Sequence, residues 1–141
     1  MNTHRGGCHC GAIKLQFETP LNPEELEVRA CQSSFCIKHG SRAASDPAGR
    51  LTISVQDSSH LKRYRFGLET ADYLLCASCG VYVAAVTSDD AEPRAVVSIN
   101  VLDDRDRFSS ELRIVNFDSE DRAARIARRR KHWMPVSVMI V

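Results

Sequence analysis

Two tight pairs of cysteines, Cys8-x-Cys10 in "GGCHCGA" and Cys76-x-x-Cys79 in "LLCASCGVY", constrain this chain more than any other feature. Each pair lets one short segment offer two sulfurs to one ion, and zinc takes a tetrahedral set of thiolates at about 2.3 Å. Each pair is followed by glycine, Gly11 and Gly80. A glycine there lets the backbone turn with positive φ and aim amide N–H groups at the sulfurs. A direct Cys8–Cys10 disulfide would close a strained ring. Two cross-pair disulfides, or four buried thiols, are the competing readings, and the four-cysteine zinc site is preferred over both. Such an ion would tie the start of the chain to its middle, and its binding energy would be folding energy.

The compartment supports metal over disulfides. The first residues, "MNTHRGGCHCGAIKL", carry no hydrophobic signal region, which points to the cytoplasm, where thiols stay reduced. No apolar run approaches the ~20 residues of a membrane span. Lys plus Arg is 19 and Asp plus Glu is 18, so bulk charge gives no reason to expect a nucleic-acid or membrane partner. At 141 residues the chain is read as one domain, residues 1–141, large enough to bury a core without cross-links.

The expected secondary structure is mainly strand. "AIKLQF", "LEVRA" and "LTISV" alternate, with Ile13, Leu15 and Phe17, then Leu26, Val28 and Ala30, then Leu51, Ile53 and Val55 on single faces. Tyr64 and Phe66 continue the pattern. "VYVAAV" and "RAVVSINVL" are continuous and read as doubly buried strands. One C-terminal helix is expected in "DSEDRAARIARRRKHWMP", capped by Asp118 or Ser119 and ended before Pro135, with acids first and bases last, as the helix dipole prefers. Its run Arg128, Arg129, Arg130 and Lys131 is read as a solvated helix end in preference to a phosphate or nucleic-acid site. Trp133 is read as a packing anchor. His9 is read as facing away from the side shared by Cys8 and Cys10. His60 and His132 are left as surface or packing residues, and the acid pairs at 89–90 and 103–104 as solvated turn residues.

The ordered blocks "GGCHCGAIKLQF", "CQSSFCIKHG", "LLCASCGVY" and "VSINVLDD", with the ending "RIARRRKHWMPV", resemble the glutathione-dependent formaldehyde-activating enzyme family, which includes centromere protein V. The resemblance runs from about residue 5 to residue 103. It implies a mainly β fold of the β-tent type, with folded antiparallel sheets stapled by a structural zinc on Cys8, Cys10, Cys76 and Cys79. It implies a second zinc on a Cys-x-Cys-x-x-Cys motif with one position open. It also implies carbon–sulfur lyase chemistry: addition of the glutathione thiol to formaldehyde, giving S-hydroxymethylglutathione, or the reverse. A zinc with an open position would stabilise the thiolate and polarise the aldehyde oxygen.

In this chain the second motif reads Cys31, Ser33, Cys36. A serine hydroxyl is a poor zinc ligand. Three outcomes stay open: weak zinc with water or His39 completing the shell, an empty site with free thiols, or a Cys31–Cys36 disulfide. An empty or weak site is favoured. Catalytic roles fall on Cys31, Ser33 and Cys36. Lys38, His39 and Arg42 are the candidates for binding substrate, because glutathione carries carboxylates and Arg suits bidentate contact with them. The expected partners are glutathione or another small thiol, and a small aldehyde. The second reading is a zinc-stapled thiol-binding or scaffold protein without turnover.

Overall fold

The computed structural model describes all 141 residues. It is mainly β with few helices, as the strand patterning predicts. Strand β1 spans Asn2–Gly7, β2 Ile13–Thr19, β3 Val28–Cys31 and β4 Ala43–Ala44. Strand β5 spans Arg50–Val55, β6 Leu61–Tyr64, β7 Ala71–Cys76 and β8 Tyr82–Thr87. Strand β9 spans Arg94–Ser98, β10 Leu112–Val115 and β11 Met134–Ile140. Helix α1 is Ser34–His39 and helix α2 is Arg122–His132. No helix is long and apolar enough to cross a membrane.

Pairing is antiparallel except where β10 lies on β3 and β11 on β5. Strand β11 joins the two parts of the sheet. Its first residues, Met134 and Pro135, pair with β9, and Val136 to Ile140 pair with β5. On the β5 side, β2 lies between β1 and β5. The predicted apolar faces meet in register there: Ile13 opposes Val55, Leu15 opposes Ile53, and Phe17 opposes Leu51. All six are buried, and directly opposed apolar pairs of this kind are the unit of sheet stabilisation.

Strands β8 and β9 are buried on both faces, as their continuous apolar runs require. One face, through Val86, Ala95 and Val97, joins the main core. The other, through Ala85 and Val96, meets Trp133 just after α2. Trp133 is thus the anchor its sequence position suggests.

Several elements lie outside the sequence-based expectation. Strand β1 contains "NTHRGG" and has no apolar alternation; its register with β2 holds it, with only His4 fully inside. Strand β10 is mostly exposed. Helix α1 is too short for periodicity and is set by its caps, Ser33 before it and the left-handed Gly40 after it.

Helix α2 corrects two expectations. Its N-cap is Asp121, whose carboxylate accepts the Ala124 N–H at 2.8 Å, in place of Asp118 or Ser119. Residues 117–120 are turned back, with Glu120 accepting from Arg125 and Arg128 and the Phe117 carbonyl accepting from Arg125. The basic run is not uniformly solvated, because Arg129 is only 5% exposed. The pair at 103–104 is also not simply solvated: Asp104 meets the buried His4 Nδ1 at 2.7 Å.

Gly6 of β1 bridges to Leu102, and a Cβ there would stand 2.0 Å from the Val101 carbonyl oxygen. Gly6→Ala should therefore push β1 off this segment and cost about 1–3 kcal/mol, the range for overpacking. Urea unfolding checks this, and an unchanged midpoint would contradict it.

Candidate functional site

Four of the six cysteines converge. Cys8 follows β1, Cys10 sits in the turn leading to β2, Cys76 ends β7, and Cys79 lies in the turn before β8. Their sulfurs all lie within 4.8 Å of one another. The Cys8–Cys10 separation is 3.7 Å and the Cys10–Cys76 separation is 3.6 Å. A tetrahedron with arms of about 2.3 Å has edges of about 3.8 Å, so these spacings fit a four-thiolate zinc. The local backbone is built for it. Gly11 and Gly80 have φ of 83° and 80°, in the left-handed region, and a side chain at either would meet only open space. These glycines serve conformation, not close approach. The Ile13 N–H donates to the Cys8 sulfur at 3.2 Å and the Cys79 N–H to Cys76 at 3.4 Å. None of the four is in a disulfide. His9 is exposed beside them.

Cys31 and Cys36 form a separate pair. Cys31 ends β3 and Cys36 lies in α1. Both line a cavity of about 490 Å³. None of the other four cysteines lines it. Ser33 lies on the cavity wall too, but its oxygen is engaged as the α1 N-cap, accepting the Cys36 N–H at 3.4 Å. The side chains gathered here offer two thiols and a capping hydroxyl, with no third Cys, His or carboxylate joining them in a metal-ligand group.

The two thiols are electrostatically unequal. The neighbouring Cys36 thiol favours the Cys31 thiolate; burial opposes ionisation, but the Ser33 backbone and hydroxyl and the charge of Arg128 assist it. Together they hold Cys31 down at about 5. The same contact, with burial, pushes Cys36 far up. The pair therefore carries one proton between two sulfurs at neutral pH.

The rest of the cavity wall is aromatic and cationic. Phe66, Tyr73, Tyr82, Phe117 and Trp133 supply rings, and Arg29, Arg125, Arg128 and Arg129 supply charge. Burial raises both Tyr73 and Tyr82, so their phenols stay protonated. The arginines of α2 at positions 125, 128 and 129 share a helix face, the i, i+3, i+4 relation. That spacing is visible in the sequence, and it is the signal that distinguishes this face from a solvated end. Arg29 and the two tyrosines carry no such signal.

Lys38, His39 and Arg42 do not line the cavity. Lys38 is exposed. The His39 ring packs on Phe35 at 4.4 Å and near Tyr82 at 5.6 Å. Arg42 donates to the Ser109 carbonyl at 3.4 Å.

A mainly β sheet with a four-cysteine cluster that could hold a metal ion, and a second cysteine pair opening into a cavity, defines the class of this domain. Residues 3–117 match the family model for the glutathione-dependent formaldehyde-activating enzyme, and the chain belongs to that family. A solved structure of a protein from Rhodobacter sphaeroides is similar, with 29% identity and a TM-score of 0.58. That match covers 79% of this chain and 99% of the other.

Two outcomes follow from this geometry. Cys76→Ser should release the metal and unfold the domain, because a structural zinc supplies about 10–16 kcal/mol, comparable to a domain's whole stability. Metal content and circular dichroism of the variant test this; a folded protein without metal would contradict it. Iodoacetamide should alkylate Cys31 rapidly at pH 6, since a depressed thiol stays ionised above its lowered midpoint of about 5. Cys36 should stay unmodified, and peptide mapping reads both; labelling of Cys31 that appears only above about pH 8, near the ordinary thiol value, would contradict the assignment.

Proposed function

We propose that the protein is a carbon–sulfur lyase that joins glutathione, or another small thiol, to a small aldehyde at the Cys31–Cys36 cavity, or reverses that addition. The observation that carries this reading is the thiol pair opening, with Ser33, into a cavity whose wall also carries four arginines. Family membership supports the substrate classes, glutathione and formaldehyde.

In the proposed reaction the substrate sulfur bonds to the aldehyde carbon, and the carbonyl π pair moves to oxygen. The thiol proton leaves to Cys31, and the Cys36 proton goes to the oxygen. Transfer from Cys31 back to Cys36 restores the pair. Ser33 positions α1 through its cap and lies beside both sulfurs, where it favours their ionised forms. The arginines favour ionisation of the incoming thiol.

Zinc fits the four-cysteine cluster, where Cys8, Cys10, Cys76 and Cys79 would hold it as a structural ion. At Cys31 and Cys36 the side chains offer two thiolates only, because Ser33 is occupied as a cap. A zinc with an open position would supply Lewis-acid polarisation, but this donor set does not fit one, and the proton relay through Cys31 and Cys36 runs on the protein's own groups.

A second reading is a thiol-binding or scaffold protein without turnover. Ser33, in a position where the family motif has cysteine, is the observation in its favour. Exchange NMR of glutathione with formaldehyde decides between them. The lyase reading expects a rate of S-hydroxymethylglutathione formation above the uncatalysed one, lowered about 10²-fold or more in Cys36→Ala, the usual scale for losing an acid–base group. No acceleration by the wild-type protein would leave the scaffold reading.

A further inference from the structure

The cavity wall carries two arginines that no carboxylate of the protein pairs with, the Cys31 thiolate being the anion that the cavity itself supplies. Arg129 is 5% exposed and lies over the Trp133 ring, 4.6 Å from its centroid. Its one hydrogen bond is to a neutral group, the Thr70 hydroxyl, at 2.6 Å, and its buried Nε has no partner. Arg29, half-buried at the start of the β3 wall, likewise donates to a hydroxyl, Ser45, at 2.6 Å. Among the nearby carboxylates Glu69 is exposed, Asp89 is held by Arg65 and Asp90 by Arg130. Glu120 is held by Arg125 and Arg128, and Glu27 by Arg113. Asp118, the carboxylate on the cavity wall, is exposed. Burial works against the charge on both Arg29 and Arg129.

A buried guanidinium without an anion is costly, and proteins pair such groups. Arginine cannot escape the cost by losing its proton. The missing partner is therefore an anion that the cavity receives from outside, and the planar guanidinium fork suits a carboxylate. We propose that Arg129 and Arg29 bind a carboxylate of the thiol substrate, so that the cavity selects acidic thiols over neutral ones. This rests on reading the cavity as the thiol site. It moves carboxylate recognition from Lys38 and Arg42, which lie outside the cavity, to residues on its wall. In this arrangement the arginines determine specificity, and the Cys31–Cys36 pair handles the sulfur.

Trp133 is the chain's single tryptophan and lines the cavity, so its fluorescence reports occupancy. The probes are S-methylglutathione, whose sulfur is blocked and whose carboxylates are free, and its dimethyl ester. The expected result is that the acid binds the wild-type protein at least about tenfold more tightly than the ester, the scale of one charge-assisted hydrogen bond. Arg129→Met and Arg29→Met should each remove that advantage while leaving ester binding unchanged. Equal affinity for acid and ester, no binding of the acid at millimolar concentration, or full affinity in both variants would overturn the proposal. Should the variants fail to fold, the acid–ester comparison on the wild-type protein decides alone. Because the probe's sulfur is blocked, carboxylate-dependent binding without accelerated adduct formation would retire the lyase reading and keep this subsite. Equal acceleration with glutathione and with 2-mercaptoethanol would do the reverse.

Discussion

Cys10 and Cys76 stand 3.6 Å apart although 66 residues separate them in the chain. Most of the architecture depends on that convergence. It places the β1–β2 turn against the β7–β8 turn, and so sets the N-terminal hairpin against the strands that floor the cavity. Four thiols this close could share a cation, which would remove the repulsion that ionised sulfurs would otherwise feel. The left-handed glycines and the amide donors to sulfur show that the backbone on both sides is shaped to the same centre.

The cavity has a different logic. Its floor is the outer face of β8 and β9, where Ala85 and Val96 leave room, and its walls come from α1 and α2. Short side chains on the strands, and long arginines and aromatic rings around them, produce a hollow with a positive wall. Glu120 neutralises part of that wall and rigidifies it, drawing Arg125 and Arg128 together, with Arg128 also stacked 3.5 Å above the Phe117 ring. The charge that remains, on Arg29 and Arg129, is what gives the cavity its polarity. The Cys31 thiolate faces the same field, so the proposed thiol chemistry and anion recognition would share one electrostatic environment.

Ser33 belongs to the cavity wall. Cysteine at its position would be a metal ligand; serine is instead a good helix cap, because its hydroxyl accepts from an amide two or three residues on. In this chain it starts α1, fixes the orientation of Cys36, and assists the Cys31 thiolate. With oxygen at this position, the side chains here offer two thiols and a helix cap.

The sequence by itself determined the elements with strong local patterns. Alternation in "IKLQF" and "LTISV" specified faces that do meet in the core, and continuous apolar runs marked β8 and β9 as central. The spacing and trailing glycines of the two cysteine pairs marked the candidate metal centre, because a multidentate ligand set leaves a local imprint. Strands β1, β10 and β11 were not read from the sequence: β1 has only His4 buried and is held by its neighbour β2, while β10 and β11 lie on strands far along the chain, β3 and β5. The functional cavity was legible only in its cysteines. Tertiary structure alone decided that Arg129 is buried and Lys38 is not, that Glu120 leaves Arg29 and Arg129 uncompensated, and that Ser33 is a cap. Burial and the distance between charges depend on which segments pack together, and the charge of a residue carries no information about either until the chain has folded.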